Sequence, residues 1–185
     1  MSATILIDSP TWWKQTKENP ERFMHWLKKQ YHGEITAHAR IVEFVDRYIP
    51  QDNRWRKVIL KIASQELTHA QWVAQLLSVR GITPEVLDKE ERYWNKTLPS
   101  IQSLHDGAAV AAHAEGMRLE RIRVIVQDPE TPKDVRDVFT RILPEEEFHE
   151  RAFRKLAGAP ALSQALENHL AGREAIGLIP EGFTH

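Results

Sequence analysis

Apolar side chains recur at intervals of three and four residues through most of this chain, which is the spacing of helices that bury one face. Four long stretches carry this pattern, and their approximate bounds are 20–48, 53–80, 100–127 and 132–157. No stretch shows a comparable alternation of apolar and polar residues, as a half-buried strand would require. The sequence therefore predicts an all-α fold built on four long helices.

Capping residues and prolines set the predicted ends of these helices. The first begins at Asn19-Pro20-Glu21, an N-cap followed by a first-turn proline, and ends before Pro50. Signals of the same kinds bound the other three helices: Asp52 or Asn53, Gly81, Ser100 or Ser103, Asp128-Pro129, Thr131-Pro132 and Gly158.

The connection from Gly81 to Pro99 is too long for a tight turn between antiparallel neighbours and predicts a crossover. It contains a helix start signal, Thr83-Pro84-Glu85, and is predicted to hold one short helix. Residues 1–158 are accordingly expected to form one four-helix-bundle domain made of two helical hairpins. Residues 159–185 are expected to add a short helix near 162–173 and a tail, GLIPEGFTH, that is either mobile or docked.

Two Glu-x-x-His motifs lie on predicted helices, Glu66 with His69 and Glu146 with His149. About one such match is expected by chance in a chain of this composition, so the motif alone carries little weight. The position of each motif is more informative. Each motif glutamate shares a helix face with apolar residues, which directs both motifs toward the core of the bundle.

The other two helices each offer one glutamate at a matching position, Glu34 and Glu115. All four glutamates lie near the middle of their helices on apolar faces, so a bundle gathers them into one layer. The separation of Glu34 from Glu66 equals that of Glu115 from Glu146 to within one residue, as in two copies of one hairpin. Glu120 is the alternative on the third helix, but it lies about 140° around that helix from Glu115.

Four carboxylates in an apolar interior would each lose several kcal/mol of hydration and would repel one another unless they were neutralised. Two divalent cations would supply the matching positive charge. Carboxylate oxygens and imidazole nitrogens suit iron or manganese, whereas zinc would bind without redox chemistry. The alternative is a metal-free polar layer whose glutamates are solvated or paired with arginines such as Arg40 and Arg118.

The order Glu, Glu-x-x-His, Glu, Glu-x-x-His on four successive helices with a long second connection resembles the ferritin-like di-iron carboxylate superfamily over about residues 20–158. The resemblance implies that Glu66 and Glu146 bridge two metal ions. It also implies that Glu34 and His69 complete the coordination of one ion, and that Glu115 and His149 complete the coordination of the other.

The resemblance does not identify a subfamily, and the sequence supports neither a rubrerythrin nor a haem-bearing bacterioferritin. A rubrerythrin would normally add a cysteine-rich rubredoxin module, and this chain has no cysteine. A haem-bearing bacterioferritin would need a suitable methionine, for which Met24 and Met117 are available.

The resemblance implies activation of dioxygen or peroxide by a reduced metal pair. The first functional hypothesis is an oxidoreductase that acts on peroxide or a small organic substrate with two iron ions, or with manganese or mixed ions. The second is a ferroxidase that feeds an iron store, and the third is a structural bundle without metal. An enzyme predicts a small oligomer with an apolar cavity beside the metals, whereas storage predicts a large hollow assembly.

Composition narrows the setting of this chemistry. The 25 Lys and Arg balance 26 Asp and Glu without a basic stripe, so neither nucleic acid nor a membrane is indicated as a partner. No stretch reaches the roughly 18 apolar residues of a membrane span, and no signal-peptide pattern opens the sequence. The absence of cysteine excludes disulfides and thiolate metal sites. A cytoplasmic homodimer or other homo-oligomer is expected.

Three further residues are candidates near the centre. His38 lies one turn beyond Glu34 and is interpreted as a seventh ligand, an outer hydrogen-bond donor or a core histidine. Tyr31 precedes Glu34 by one turn and would hydrogen-bond a ligand, take part in electron transfer or simply pack. Pro144, two residues before Glu146, predicts a kink or π-bulge because it removes a backbone hydrogen bond. The other histidines are expected at the surface: His25, His32, His105, His113 and His169.

Overall fold

The computed structural model describes residues 5–179, and the regular structure in that range is helical apart from one isolated bridge between Ile7 and Leu178. The all-α prediction is therefore confirmed. None of the helices in this range combines the length and apolar character needed to cross a membrane. The helices are α1 (Ser9–Lys17), α2 (Pro20–Tyr48), α3 (Trp55–Ser78), α4 (Trp94–Thr97), α5 (Leu104–Gln127) and α6 (Lys133–Ala175), with a 3-10 turn at Leu98–Ser100.

The signals read from the sequence account for the ends of the long helices. The Asn19 side chain accepts a hydrogen bond from the backbone N–H of Arg22 and starts α2, and Ser103 caps α5 in the same way. Asn53 accepts a hydrogen bond from the backbone N–H of Trp55 at the start of α3. Gly81, with a φ of 71°, turns the chain away after α3 in a conformation that glycine adopts at little cost.

The long helices pair as two hairpins. α2 lies along α3, α5 lies along α6, and α3 contacts α6, whereas α2 and α5 scarcely touch; α1 packs on both α2 and α5. The buried apolar side chains form two clusters at opposite ends of the bundle, one around Ile59 and Phe153 and the other around Leu77 and Phe139. The middle turns of all four long helices, which carry the candidate glutamates, lie between these clusters.

The crossover differs from the prediction in the position of its short helix. Residues 82–91 contain no helix, and the short helix is α4, further along the chain than the predicted start at residues 83–85. Contacts with α2 replace helical hydrogen bonds in this segment: His32 Nδ1 accepts from the backbone N–H of Leu87 at 3.1 Å, and His32 Nε2 lies 2.6 Å from Glu91. His32 is consequently buried, and its predicted surface position is wrong.

Helix α1 was not predicted from the periodicity, because nine residues are too few for a helical pattern to stand out. Its start signal is present, since Asp8 caps the backbone N–H of Thr11 and Pro10 lies in the first turn. Trp13 is only 1% exposed, and its Nε1 donates to Thr131 Oγ1 at 3.1 Å. Trp13 therefore helps to anchor α1 to the bundle, together with the ion pair of Lys17 with Asp128 at 2.7 Å.

The last long helix breaks at Gly158, as predicted, but no loop follows the break. Gly158 has a φ of 75° and a ψ of 161°, and the chain returns directly to a helix that ends at Ala175. A kink or π-bulge is predicted at Pro144, and the π-bulge is absent, because the residues around Pro144 are α-helical and Gly158 alone within Lys133–Ala175 has non-helical dihedral angles. The φ of proline is itself compatible with a helix, so the backbone can stay helical although one hydrogen bond is missing. Leu178 of the predicted tail is fully buried, and residues 180–185 lie outside the described residues.

His169, on the part of α6 beyond Gly158, is also buried rather than at the surface. It is 1% exposed, its Nδ1 lies 2.7 Å from the hydroxyl oxygen of Tyr93, and its ring stacks on that of His113. Burial, together with the charges of His113 and Arg173, lowers the pKa of His169 to about 3. His169 is therefore a neutral core residue that joins α6 to the crossover and α5.

Replacing Trp13 with alanine should weaken the attachment of α1. Loss of a fully buried tryptophan side chain costs about 3–5 kcal/mol in the free energy of unfolding, which urea denaturation measures. Lys14→Ala, at an exposed neighbouring position, is the matched control and should change that free energy by less than about 0.5 kcal/mol. Equal effects of the two substitutions would contradict the docked position of α1.

Candidate metal centre

The four mid-helix glutamates meet in one layer between the two apolar clusters. Glu34 and Glu146 are fully buried, and Glu66 is 1% exposed. Glu115 is half-buried because one side of it borders a cavity. The bundle thus brings together the four carboxylates that the sequence places on four separate helices.

The carboxylates and two histidines form two overlapping groups. One group is Glu34, Glu66, His69 and Glu146, and the other is Glu66, Glu115, Glu146 and His149; within each group, one ligand atom per residue lies within 4.8 Å of the others. Glu66 and Glu146 belong to both groups, so they occupy the place of bridging ligands. All six predicted residues are present, divided as the superfamily resemblance implies, and their role as metal ligands stays a prediction.

Each histidine directs its Nδ1 into the layer. His69 Nδ1 is 3.3 Å from Glu146 Oε1 and 3.7 Å from Glu34 Oε2. His149 Nδ1 is 3.0 Å from Glu66 Oε1 and 3.6 Å from Glu146 Oε2. Each half of the layer therefore has one imidazole nitrogen that faces its carboxylates.

The outward nitrogens reveal two residues that the sequence analysis missed. His69 Nε2 is hydrogen-bonded to Glu145 at 2.8 Å, and His149 Nε2 to Gln65 at 3.2 Å. Glu145 and Gln65 each immediately precede a motif glutamate, and each contacts the histidine of the opposite hairpin. Partners of this kind fix the orientation of a ligating imidazole. Gln65 and Glu145 occupy the same position relative to their motifs, and this equivalence is the sequence signal that could have identified them.

Unpaired polar atoms test whether the layer fits metal ions. Native proteins leave few buried polar atoms without a hydrogen bond, because each such atom loses its hydration. In this layer the carboxylate and imidazole atoms approach one another outside hydrogen-bond geometry. Within residues 5–179, the buried carboxylate and imidazole atoms of the layer that form no hydrogen bond are Glu34 Oε2, Glu66 Oε1, both carboxylate oxygens of Glu146, and the Nδ1 atoms of His69 and His149, although Glu146 Oε1 also has Arg118 Nε at 2.8 Å. Such a set of inward-facing donors fits cations as their shared partners.

Arg118 also reaches the layer. Its guanidinium donates to Glu34 Oε1, and its Nε lies 2.8 Å from Glu146 Oε1. Of the two arginines that the metal-free alternative pairs with the glutamates, Arg118 does contact them. Arg40 instead lies 3.3 Å from Glu91 and stacks over Trp94.

A cavity of about 270 Å³ opens beside the layer, between α2 and α5. Its wall is mostly apolar and includes Glu66, Glu115 and Arg118. We call this cavity the α2–α5 slot. It gives small molecules a route to one side of the candidate metal centre.

Comparison with known families agrees with this geometry. The family model described as rubrerythrin matches residues 25–157. The chain belongs to the rubrerythrin family. This is a ferritin-like di-iron carboxylate family, so the predicted superfamily is confirmed. No curated protein and no solved structure matches the chain.

The rubrerythrin match covers the whole candidate centre. It contains all six predicted ligands together with Gln65 and Glu145, and it ends one residue before the break at Gly158. Helix α1 and the part of α6 beyond the break lie outside it. The family assignment therefore rests on the bundle itself.

The carboxylates of the layer cannot all ionise without added positive charge. Burial raises the pKa of Glu66 and Glu115 well above the ordinary range, and the neighbouring carboxylates raise it further. Burial acts in the same direction on Glu34 and Glu146 and is the largest single effect, but the charge of Arg118 and the contacts with the neighbouring histidines together outweigh it and lower their pKa. Glu66 and Glu115 therefore hold protons at a pH where exposed glutamates are ionised.

His69 holds a proton for a different reason. Burial lowers the pKa of its imidazole, yet the adjacent carboxylates of Glu146 and Glu34 outweigh burial and raise the pKa to about 11. His69 is then a cation at neutral pH. Its Nδ1 must lose a proton before that atom can bind a metal ion.

The other candidates from the sequence lie outside the two ligand groups. Glu120, the alternative to Glu115, accepts a hydrogen bond from Ser9 and pairs with Arg173 at 3.0 Å. His38 Nδ1 is hydrogen-bonded to the carbonyl oxygen of Ala63 at 2.8 Å, so its interpretation as a satisfied histidine fits best. Tyr31 packs against the apolar cluster around Phe139.

Removing the partner of one metal-facing histidine should weaken metal binding. Glu145→Ala leaves His69 free to rotate, and loss of such a partner typically lowers metal affinity about 10–100-fold. Competition with a metallochromic chelator measures the change. Glu147→Ala, which removes a more exposed acid paired with Arg123, is the matched control and should leave affinity unchanged. Equal affinities of the two variants would show that Glu145 does not support the site.

Metal loading should release protons at neutral pH. Metal ions and protons compete for the same atoms of Glu66, Glu115 and His69, whose pKa values are raised. The apparent metal affinity should therefore decrease as the pH is lowered. A pH indicator in weakly buffered solution should record about one proton or more for each ion bound. An affinity that stays constant from about pH 8 to pH 6 would contradict this competition.

Proposed function

We propose that this chain is a di-iron oxidoreductase that reacts with peroxide or dioxygen at the layer containing Glu66 and Glu146. The observation that carries the proposal is the pair of ligand groups that share these two glutamates in a buried layer. Membership of a di-iron carboxylate family supports the same proposal. The α2–α5 slot supports it further, because it leads to Glu66 and Glu115.

The donor set favours iron. Four carboxylates and two imidazoles suit iron or manganese, and this family is a di-iron family. Two ferrous ions bound there would supply the electrons that reduce peroxide or dioxygen. Their four positive charges would also balance the four carboxylates of the layer.

The chain's own residues hold, orient and shield such a centre. Glu66 and Glu146 would join the two halves, and His69 and His149 would each present Nδ1 to one half. Glu145 and Gln65 would accept hydrogen bonds from Nε2 of His69 and His149 and so keep the proton on that nitrogen. The apolar clusters on both sides shield the layer from bulk water, and the slot gives access on the side where Glu115 borders it.

The slot favours an enzyme over the two alternatives. An apolar cavity beside the metals is the feature expected of an oxidoreductase, whereas iron storage requires acidic routes, and the slot carries Arg40, Arg118 and Arg121. A purely structural bundle would leave the inward-facing polar atoms of the layer without partners. We retain a cytoplasmic homodimer or small homo-oligomer as the expected form, which cell fractionation and light scattering test.

Anaerobic iron loading followed by addition of peroxide or dioxygen tests the proposed function. Elemental analysis should find about two iron ions per chain. Peroxide or dioxygen should then be consumed as ferrous iron is oxidised, followed by optical absorption. Glu66→Ala should lose most of the iron, because this residue serves both halves of the layer. Glu43→Ala, at an exposed position of α2, is the matched control and should retain both ions and reactivity.

Each alternative predicts a different result. Uptake of iron far beyond two ions per chain by a large assembly would favour storage. A protein that binds no transition metal and gains no thermal stability from added iron would be a structural bundle. Circular dichroism of Glu66→Ala separates loss of metal from loss of fold, and removal of a buried carboxylate should leave the helices intact.

A further inference from the structure

The α2–α5 slot exists because small residues face each other where the two helices would otherwise meet. Gly33 and Ala37 lie on the facing side of α2, and Ala111 and Ala114 on that of α5. A Cβ atom added to Gly33 would meet nothing within 4 Å. The volume of about 270 Å³ is close to the lower end of the range of ligand pockets, about 300–1,000 Å³. The slot is therefore large enough for a small organic molecule.

The walls of the slot indicate a ligand with an apolar body. Trp12 and Trp26 line one end, Phe44 and Trp94 line the other, and Ile122 adds an aliphatic side chain. Aromatic and aliphatic walls bind ligands by removing apolar surface from water. Few polar groups interrupt this lining, so each of them has a strong influence on how a bound ligand is oriented.

Arg121 is the arginine of the slot that forms no direct ion pair among the described residues, although the charge of the neighbouring Glu120 acts on it from further away. Its Nε is buried without a hydrogen-bond partner, and no ion pair joins Arg121 to a carboxylate within residues 5–179. The adjacent acid, Glu120, is occupied by Ser9 and Arg173. The guanidinium lies 4.5 Å from the ring centroid of Trp12. Burial lowers the pKa of Arg121 to about 10, which still leaves this group charged at neutral pH.

The expected charge of the metal-loaded layer adds to this attraction, a step that rests on the proposed function. Four carboxylates and two divalent ions cancel, and Arg118, which contacts Glu34 and Glu146, leaves one positive charge in excess. Arg121 lies one turn further along the same helix and supplies a second positive charge. The slot would then be an apolar space beside two uncompensated cations.

We infer that the α2–α5 slot binds a small hydrophobic monocarboxylate whose carboxylate pairs with Arg121. The planar guanidinium suits a carboxylate because it can donate two parallel hydrogen bonds. The apolar walls accept the hydrocarbon body. One unpaired arginine at the end of an apolar space matches a ligand with a single negative charge.

The proposed orientation places the hydrocarbon body, rather than the carboxylate, next to the candidate metal centre. Arg121 is six residues beyond Glu115 on α5, which corresponds to about 9 Å along the helix axis. A carboxylate at Arg121 would thus lie well over one turn from the Glu66 and Glu115 side of the layer. The body of the ligand would extend along the slot past these glutamates.

Calorimetric titration with octanoate tests this inference on the full chain, with and without bound metal. Octanoate should bind in a ratio of about one per chain and should change the fluorescence of the tryptophans that line the slot. Octanol, with the same chain length and no charge, should bind at least about tenfold more weakly. Equal binding of the two compounds, or no octanoate binding, would overturn the inference.

Two substitutions on different helices locate the binding site. Arg121→Gln should weaken octanoate binding about tenfold or more and leave octanol unchanged. Arg123→Gln, on the same helix but exposed and outside the slot, is the matched control and should bind octanoate as the native chain does. Gly33→Leu fills open space and should abolish binding of both compounds without disturbing the fold. Unchanged binding by Arg121→Gln or by Gly33→Leu would refute the proposed site.

The test is separable from that of the proposed function. A protein that binds two iron ions and consumes peroxide or dioxygen, yet binds no octanoate, would refute this inference alone. Octanoate binding that depends on Arg121 in a chain without reactive iron would refute the di-iron function and leave the slot as a binding site. Circular dichroism and metal content, measured for each variant, exclude misfolding as the cause of lost binding.

Discussion

Four carboxylates cannot share an apolar interior without positive charge among them, and this constraint organises the molecule. Long helices are needed to hold Glu34, Glu66, Glu115 and Glu146 at mid-length, where apolar clusters on both sides keep water out. Protons and Arg118 offset part of the negative charge, as the raised and lowered pKa values of the four carboxyl groups show. Two divalent ions would offset all of it. The stability of the layer therefore depends on the positive charge placed among its carboxylates.

The long helices and the glutamate layer could be predicted because their signals are local. Asn19, Ser103 and Gly81 mark helix ends by their own conformational preferences, and mid-helix position follows from counting residues. The burial of His32 and His169 could not be predicted in this way, because it depends on contacts with the crossover. The same is true of the short helix α4, whose start signal lies in a segment that His32 holds against α2.

The residues around the site that the sequence did not reveal were missed for one physical reason. Glu145 and Gln65 are ordinary polar residues on helices, and only their partners across the bundle distinguish them. Arg118 was considered as a partner of the glutamates, but its direction could not be read from spacing. Pro144 shows the opposite error, because a strong local signal for a bulge leaves the backbone of α6 helical at that position. Local preferences thus set the helices, and contacts between helices set the surroundings of the layer.

The crossed contacts of Gln65 with His149 and of Glu145 with His69 are reciprocal, like those of an interface between two identical subunits. Each hairpin supplies the support that the histidine of the other hairpin needs. Neither hairpin holds a complete half-site alone, because Glu66 and Glu146 each belong to both ligand groups. Ions held by both ligand groups would therefore couple to the association of the two hairpins, so a change that loosens this association should also lower the affinity for metal.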